Sequence, residues 1–439
     1  MIIPAGLKLI ASYLPRPLYL VGGYVRDFLI GYVPHDADIA GDMSPDEIFS
    51  CLDGKCVVKE TSKKLMTLKI IVGSEEYEYT AFRTDSYTTG HSPAEVKRTD
   101  DIKLDAMRRD FTVNAIYCDV STGKIIDPLN GTEDLKNKTY VATRSTTFSE
   151  DGLRLMRLCR QAAETGFDID KDTLEQAKKN ASLIKDISPE RIREELDRIL
   201  IADTRSGVKD AQERGLRLLD KIGVLDYILP EITLGKGMPQ RPDFHKYDVF
   251  DHIIETVKYS DPSVRLAALF HDCAKPYCKI KTGLYRGHEV EGERLCADIM
   301  HRLRYPNDVI KETKALVLYH MYDLKNEAKE NTIRKFVQAH YEIIDKLILL
   351  KQADYLGCGL CEGISPGAKR LSDTLSQLKE EKVPFRISDL LINGHDLEDM
   401  GVPEEKRGTI LKNLLSECAV IDTPYLTREA QLNYIKRHL

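Results

Sequence analysis

The chain has 439 residues, 42% hydrophobic and 31% charged, with 27 Gly and 18 Pro. Against a prior of about 150 residues per domain this suggests about three compact units, and it excludes a stapled mini-protein, wholesale disorder and a collagen-like repeat. The net charge of -6, from 64 basic and 70 acidic side chains, does not advertise a nucleic-acid surface, so any such surface has to be local.

Leu18 to Val21 reads as a short strand, Gly22-Gly23 as a tight turn, and Tyr24 to Ile30 as a helix stopped by Gly31. Ser44-Pro45-Asp46-Glu47 is a capping box with proline at the first helical position, which predicts a helix through about Leu52. Strand-like runs follow at Cys56 to Lys59, Leu68 to Val72 and Tyr77 to Phe82. From about Leu135 the period becomes helical, through Leu153, Met156, Leu158, Ala162 and Ala163. The proline- and glycine-rich stretch from Pro230 to Phe244 reads as a linker, and long helical patterns run from there to about Gly367. A short segment from Leu371 closes the chain, with turn signals at Asn393-Gly394 and Gly401.

The implied class is α+β: a mixed head with a small sheet over 1–138, an all-α neck over 139–230, a helical body over 231–370 and a helical tail over 371–439. No apolar run reaches a membrane span, and Lys8 and Arg16 interrupt the apolar N-terminus, which reads as part of the mature fold. Ten cysteines scattered from Cys51 to Cys418 fit reduced thiols in a cytoplasmic protein. Cys358-Gly-Leu-Cys361 lacks a second pair and reads as incidental.

Two constellations carry chemistry. In the first, Gly22 and Gly23 would bring backbone N–H groups to phosphate oxygens at a helix N-terminus. Asp36 and Asp38, two apart on an extended segment, would present two carboxylates from one face, a hard-oxygen pair suited to Mg²⁺. The run Gly22-Gly-x-Val-Arg26-Asp-x-Leu-x-Gly31 with Asp36-x-Asp38 closely resembles the signature of the polymerase β-like nucleotidyltransferases. The branch is the class II one, which holds CCA-adding tRNA nucleotidyltransferases and bacterial poly(A) polymerases.

That resemblance implies a third carboxylate, matched by Glu78 in Glu78-Tyr-Thr-Ala-Phe-Arg83, and makes Asp36, Asp38 and Glu78 the catalytic set, with Arg26 among the nucleotide contacts. Arg108-Arg109-Asp110-Phe-Thr-Val-Asn114 resembles the family's second motif, in which the arginines and Asn114 meet phosphate and sugar. Read from the residues, guanidiniums clamp phosphate and Asp110 could accept a ribose hydroxyl, while a charged helix start capped by Asp110 is the structural alternative. Asp127-Pro-Leu-Asn-Gly131 resembles the hinge after the head.

Glu150-Asp151-Gly152-Leu-Arg154, continued by Arg157 and Arg160, matches the family's nucleotide-template motif. On a helix, 151, 154 and 157 share roughly one face. One Asp acceptor and one Arg donor complement the amino group and ring nitrogen that cytosine and adenine both present. Uracil and guanine reverse that pattern, at a cost of roughly 1–3 kcal/mol per unsatisfied buried group. Gly152 stands where alanine or proline is more usual in the family, which would loosen this helix by up to about 1 kcal/mol. Ser188 to Glu195 resembles the neck motif, with Arg191, Arg193 and Arg198 as a local basic surface for tRNA phosphates.

In the second constellation His245 and His252 precede Phe270-His271-Asp272-Cys-Ala-Lys275, then His288, His320 and Asp354. This order resembles the HD phosphohydrolase superfamily. The resemblance implies that His252, His271, Asp272 and Asp354 hold one divalent cation, Mn²⁺, Fe²⁺, Ni²⁺ or Mg²⁺, with His288 and His320 helping to hold a second. Adjacent His271 and Asp272 can ligate together only near a helix end, and an idle helical scaffold is the alternative. Ile387 to Leu397 resembles a tail that reaches the tRNA elbow in related enzymes.

The function so implied is template-independent addition of CCA to tRNA 3′ ends from CTP and ATP, with release of pyrophosphate. A CC-adding, A-adding or poly(A)-adding enzyme shares every motif. The stretch Thr84 to Lys97 looks like the flexible loop that complete CCA-adders retain. A different-class reading makes the HD domain the working phosphohydrolase and the head a nucleotide sensor. Monomer and homodimer are both open.

Overall fold

A computed structural model of the chain describes residues 3–34, 37–87 and 95–438. Its residues divide into two compact units, Met1–Ile228 and Leu229–Leu439. The sheet of the first unit is built from β1 (Tyr19–Val21), β2 (Asp38–Gly41), β3 (Val57–Ser62), β4 (Thr67–Val72) and β5 (Glu75–Ala81). After the hairpin β6 (Arg83–Ser86) and β7 (Glu95–Arg98), β8 (Tyr117–Asp119) and β9 (Ile125–Ile126) complete it. The order across the sheet is β3-β4-β5-β2-β1-β8-β9, with β2 and β5 parallel and the other neighbours antiparallel.

Local chemistry sets these elements. Glycine is required at position 22, where φ is +80°, and the helix Gly23–Leu29 starts directly after it. The capping box at Ser44 forms as the spacing predicts, and its helix spans Pro45–Leu52. Val21, Ala40, Phe82, Ala106, Ala115 and Tyr117 form a buried core cluster in the head. Tyr19 stacks on Phe82 at 5.7 Å, and Phe82 meets Tyr117 edge-on.

One expectation changes here, and the residues of another find their local bonds. The stretch Thr84 to Lys97 is not simply a loop: its ends pair as β6 and β7, with Thr84 opposite Lys97, and 88–94 lie outside the described residues. Asp127, at the expected hinge, is a helix cap, its carboxylate accepting from Gly131 N and Thr132 N at 2.8 Å each. Beyond the sheet, the helix Leu153–Thr165 packs against Pro189–Leu200 and Ala211–Lys221, and Leu155, Met156, Leu158, Cys159, Ala162 and Ala163 are fully buried.

The second unit is helical. Part of the expected linker is itself a short helix, Pro230–Thr233, because Pro230 sits at its first position. Val249–Tyr259 packs against Tyr341–Gly357, and His288–Arg302 against Asn307–Tyr319. Buried Arg334 ties the C-terminal helices together, bonding the Ala419 carbonyl at 2.7 Å and the Glu381 carboxylate. No described helix is long and apolar enough to cross a membrane.

Candidate functional site

In the first unit a cavity of about 440 Å³ opens between Gly22, Gly23 and Asp38 on one side and the arginines 108, 109, 154, 157, 191, 198 and 205 on the other. The register places Asp38 of β2 opposite Glu78 of β5. Paired positions on neighbouring strands present their side chains to the same face, so the two acids leave the sheet from backbones one strand spacing apart, about 4.8 Å. Asp36 lies outside the described residues. The set of oxygen donors on one sheet face fits a hard divalent cation.

Asp105, unremarked in the sequence, organises the phosphate side. Fully buried, it receives Arg108 Nε at 2.7 Å and Arg83 N at 3.3 Å on Oδ1, and Tyr117 OH at 2.6 Å and Arg109 Nη2 at 3.1 Å on Oδ2. Burial alone would raise this carboxyl, but the two guanidiniums and the phenol hold it down at about 2. The signal was present as spacing: an acid three and four residues before an Arg-Arg pair on one helical turn.

The rest of the second motif is internally saturated. Asp110 accepts from Phe111 N and Asn114 Nδ2 on Oδ1, both at 2.9 Å, and from Arg157 Nε and Nη2 on Oδ2 at 2.9 and 2.7 Å. All four acceptor positions are taken, so a ribose hydroxyl would have to exchange with one of these donors to reach Asp110, which lines the cavity. Burial disfavours its charged form, but Arg157 and Asn114 more than compensate and keep it ionised. Arg26 donates to Asn114 Oδ1 at 2.8 Å and to Gln161 Oε1 at 3.0 Å, and Gln161 also receives Asn114 Nδ2. Gln161, which no motif marked, closes this network.

The template motif is also rearranged. Helix geometry was expected at 151, but the helix begins at Leu153 and Asp151 is extended, φ -146° and ψ 108°, capping Leu153 N at 3.0 Å. Asp151, Arg154 and Arg157 therefore do not lie along one helical face: Arg157 is turned to Asp110, and Arg160 to Glu195 and Glu164 at 2.7 Å each. Arg154 spends three donors on Thr147 O, Glu150 Oε2 and Arg108 O, which leaves Nε–H and one Nη2 hydrogen. Asp151 receives Arg191 at 3.3 Å and keeps spare lone pairs. Gly152 does not loosen the helix. A Cβ there would stand 2.6 Å from the Leu183 carbonyl oxygen, so the residue must be small.

In the second unit six expected ligands converge. The helix Arg265–Phe270 ends at His271, which lets His271 and Asp272 point into one space. Asp272 Oδ2 faces His252 Nε2 at 3.3 Å and His271 Nε2 at 3.2 Å, while Oδ1 faces His288 Nε2 at 3.1 Å and His320 Nε2 at 3.8 Å. Asp354 Oδ1 meets His252 at 3.1 Å. The clusters are His252, His271 and Asp354, and Asp272, His288 and His320, with Asp272 between them.

The tautomers follow from the outer bonds. Nδ1 of His271, His288 and His320 each lies against the carbonyl three residues earlier, on Ala268, Tyr285 and Val317, at 2.8, 2.8 and 2.5 Å. Each Nδ1 therefore carries the proton and each Nε2 a lone pair aimed inward. His288 Nε2 and His320 Nε2 face each other at 3.3 Å, two lone pairs with no proton between them. Lys275 Nζ stands 2.6 Å from Asp272 Oδ2 as a buried counter-charge, while Oδ1 faces only His288 and His320 among the described residues. Burial, which disfavours the charged imidazolium, depresses His320 to about 3. Desolvation would do the same to His252, but Asp272 and Asp354 raise it to about 9. A buried cluster of inward lone pairs and carboxylates fits divalent cations.

Known proteins share these parts. The model of the poly A polymerase head domain matches residues 18–140, that of the probable RNA and SrmB-binding site of polymerase A matches 166–234, and the HD domain matches 249–357. An A-adding tRNA nucleotidyltransferase of Deinococcus radiodurans is 30% identical over 357 residues, 77% of this chain and 76% of that one. A CCA-adding enzyme of Lactococcus lactis is 40% identical over 234 residues, 52% of this chain and 56% of its own length. In fold, the chain is similar to the Bacillus stearothermophilus CCA-adding enzyme in complex with CTP, with a TM-score of 0.67 at 21% identity over 99% and 97% of the two chains.

Proposed function

The chain belongs to the tRNA nucleotidyltransferase family, and from that premise we propose that it adds CCA to tRNA 3′ ends from CTP and ATP, releasing pyrophosphate. The observation that carries this reading is the register of Asp38 against Glu78 beside an arginine-lined cavity. The four-part division at 138, 230 and 370 is retained as part of the same proposal.

Asp36, Asp38 and Glu78 would hold a divalent cation, Mg²⁺, whose chemistry there is activation of the RNA 3′-hydroxyl and neutralisation of the triphosphate. Arg108 and Arg109, fixed by Asp105, meet the phosphates, with Gly22 and Gly23 giving the backbone close approach. Asp151 accepts the exocyclic amino hydrogen of C or A, and the remaining donors of Arg154 reach the ring nitrogen. Arg26, Asp110, Asn114, Arg157, Arg160 and Gln161 keep that wall in place, and most of the acceleration comes from positioning and charge.

The test is extension of tRNA transcripts ending at the discriminator base, at C and at CC, with labelled CTP and ATP, resolved at single-nucleotide length. Stepwise C, C, A on the shortest transcript is expected. Stopping at CC, extending only from CC, or running on with A reassigns the chain to a CC-adding, A-adding or poly(A)-adding enzyme.

Asp272, with one oxygen toward each histidine cluster, supports a second activity: hydrolysis of phosphomonoesters or 2′,3′-cyclic phosphates. The cations suited to this set, Mn²⁺, Ni²⁺, Fe²⁺ or Mg²⁺, would supply Lewis acidity toward phosphate. A metal-dependent phosphatase activity that survives Asp38→Ala and vanishes in Asp272→Ala is expected; its absence with all four cations removes this reading.

A further inference from the structure

The histidine cluster of the second unit has a flank with different chemistry. Lys246 N–H donates to the Cys358 carbonyl at 2.9 Å, which ties the turn carrying His245 to the end of the helix Tyr341–Gly357. Gly359, with φ +73°, leaves room for the Tyr247 ring, which would lie 2.4 Å from a Cβ at that position. The His245 imidazole stands edge-on to His252, with centroids 4.6 Å apart and planes at 76°.

One ligand atom from each of His245, His252 and Cys358 lies within 4.8 Å of the other two. His252 is 0% exposed, and its Nδ1 is buried without a hydrogen-bond partner among the described residues, as is Nδ1 of His245. The Cys358 thiol makes only a long contact, 3.4 Å, to the Asp354 carbonyl. A nitrogen of each imidazole and the Cys358 sulfur share one small space, and each ring carries a buried Nδ1 without a hydrogen-bond partner among the described residues.

We propose that His245, His252 and Cys358 form a soft-cation site beside the HD cluster, taking Zn²⁺ on two imidazole nitrogens and one thiolate, with the fourth position open. The donor set decides the metal class: sulfur with imidazole and no carboxylate selects Zn²⁺, whereas the neighbouring cluster of carboxylates and imidazoles serves harder cations. Binding replaces the thiol proton and, because His252 also offers Nε2 to the neighbouring cluster, the N–H proton of a bridging His252, so Zn²⁺ uptake forms the zinc–sulfur bond and releases one H⁺ from Cys358 and one from His252 to solvent. The inference rests on the HD-cluster reading only in that His252 is common to both sets.

The test loads the full-length, reduced, metal-free protein with Co²⁺ and records its absorption. A sulfur-to-cobalt charge-transfer band in the near ultraviolet is expected, saturating at one equivalent and bleached by Zn²⁺. Cys358→Ser should abolish it and His245→Ala, at a half-buried position, should weaken it by several-fold, each with unchanged circular dichroism. His288→Ala and Cys361→Ser should keep it.

A band that survives Cys358→Ser overturns the proposal. Bound cobalt without a sulfur band overturns it and leaves the HD cluster intact. A band that is present while Asp272→Ala leaves the total bound cobalt unchanged supports the flank and overturns the cluster; no bound cobalt at all overturns both.

Discussion

The two polar sites solve opposite problems. In the first unit most charges lining the site are already answered by another: Asp105 by Arg108 and Arg109, Asp110 by Arg157, Glu195 by Arg160, Asp27 by Arg26. In the second, His288 and His320 aim lone pairs at each other, and Asp272 has one counter-charge, Lys275 at 2.6 Å on Oδ2, against a ring of imidazoles. A polyanion with many oxygens is best met by guanidiniums held rigid by their own counter-charges, because little is reordered on binding. A bare cation is best met by donors left unsatisfied, because the ion itself is the missing partner. Complete internal pairing thus marks a wall, and lone pairs left facing each other mark a seat.

The sharpest break in this contrast comes from removing one carboxylate at a time. Asp38→Ala should lower nucleotide incorporation by about 10³-fold or more while the phosphatase activity of the second unit is unchanged. Asp272→Ala should do the reverse. Single-nucleotide extension and phosphate release, measured on the same preparations, check both; parallel loss in either variant would make the two sites one functional device.

The next effect tests the wall. Asp105→Asn keeps the shape but removes the charge that fixes two guanidiniums, and the KM for CTP and ATP should rise by about 10- to 100-fold with a smaller change in kcat, as charge-assisted bonds of about 1.5–3 kcal/mol are lost. Stability falls as well, with a definite sign. The folded-state value of about 2 lies below the ordinary 3.8. The stabilisation is therefore fully present above pH 4, amounts to about 2 kcal/mol, and is lost as pH falls from 4 toward 2. Chemical denaturation of both proteins should show the gap at pH 7 shrinking by pH 3.

How far these sites could be read beforehand depends on whether the interaction is local. The capping box at Ser44 and the glycine turn at Gly22 are encoded within four residues, and each formed as its spacing implied. The Asp110–Arg157 pair joins residues 47 apart in sequence, and nothing near either says that Arg157 is already spoken for. The constraint on Gly152 is equally non-local: it is the carbonyl of Leu183, far along the chain. The hairpin of β6 and β7 was read as a loop because Arg83-Thr-Asp-Ser86 and Glu95-Val-Lys-Arg98 lack the apolar alternation that signals a half-buried strand.

Gly152→Ala isolates that long-range constraint. The added methyl meets backbone, which cannot rotate away, so the helix start must shift and stability should drop by about 1–2 kcal/mol despite alanine's better helix propensity. A thermal melt checks it; an unchanged or raised midpoint would mean that the Leu183 turn yields.

The smallest effect lies at the edge of the wall, where internal pairing stops. Arg191, Arg198 and Arg205 advance by seven and line the same cavity, but only Arg191 is paired, with Asp151; Arg198 and Arg205 are exposed and carry no ion pair among the described residues. By the logic of the two sites, unpaired guanidiniums in open water are not rigid enough to select a base, and their use is to displace counterions from RNA phosphates. Arg198→Ala and Arg205→Ala should each flatten the dependence of log affinity for tRNA on log salt by about 0.7–0.9, with no change in which nucleotide is added. Binding titrations at several salt concentrations measure the slope. A changed nucleotide preference instead would carry the base-reading wall outward to these residues.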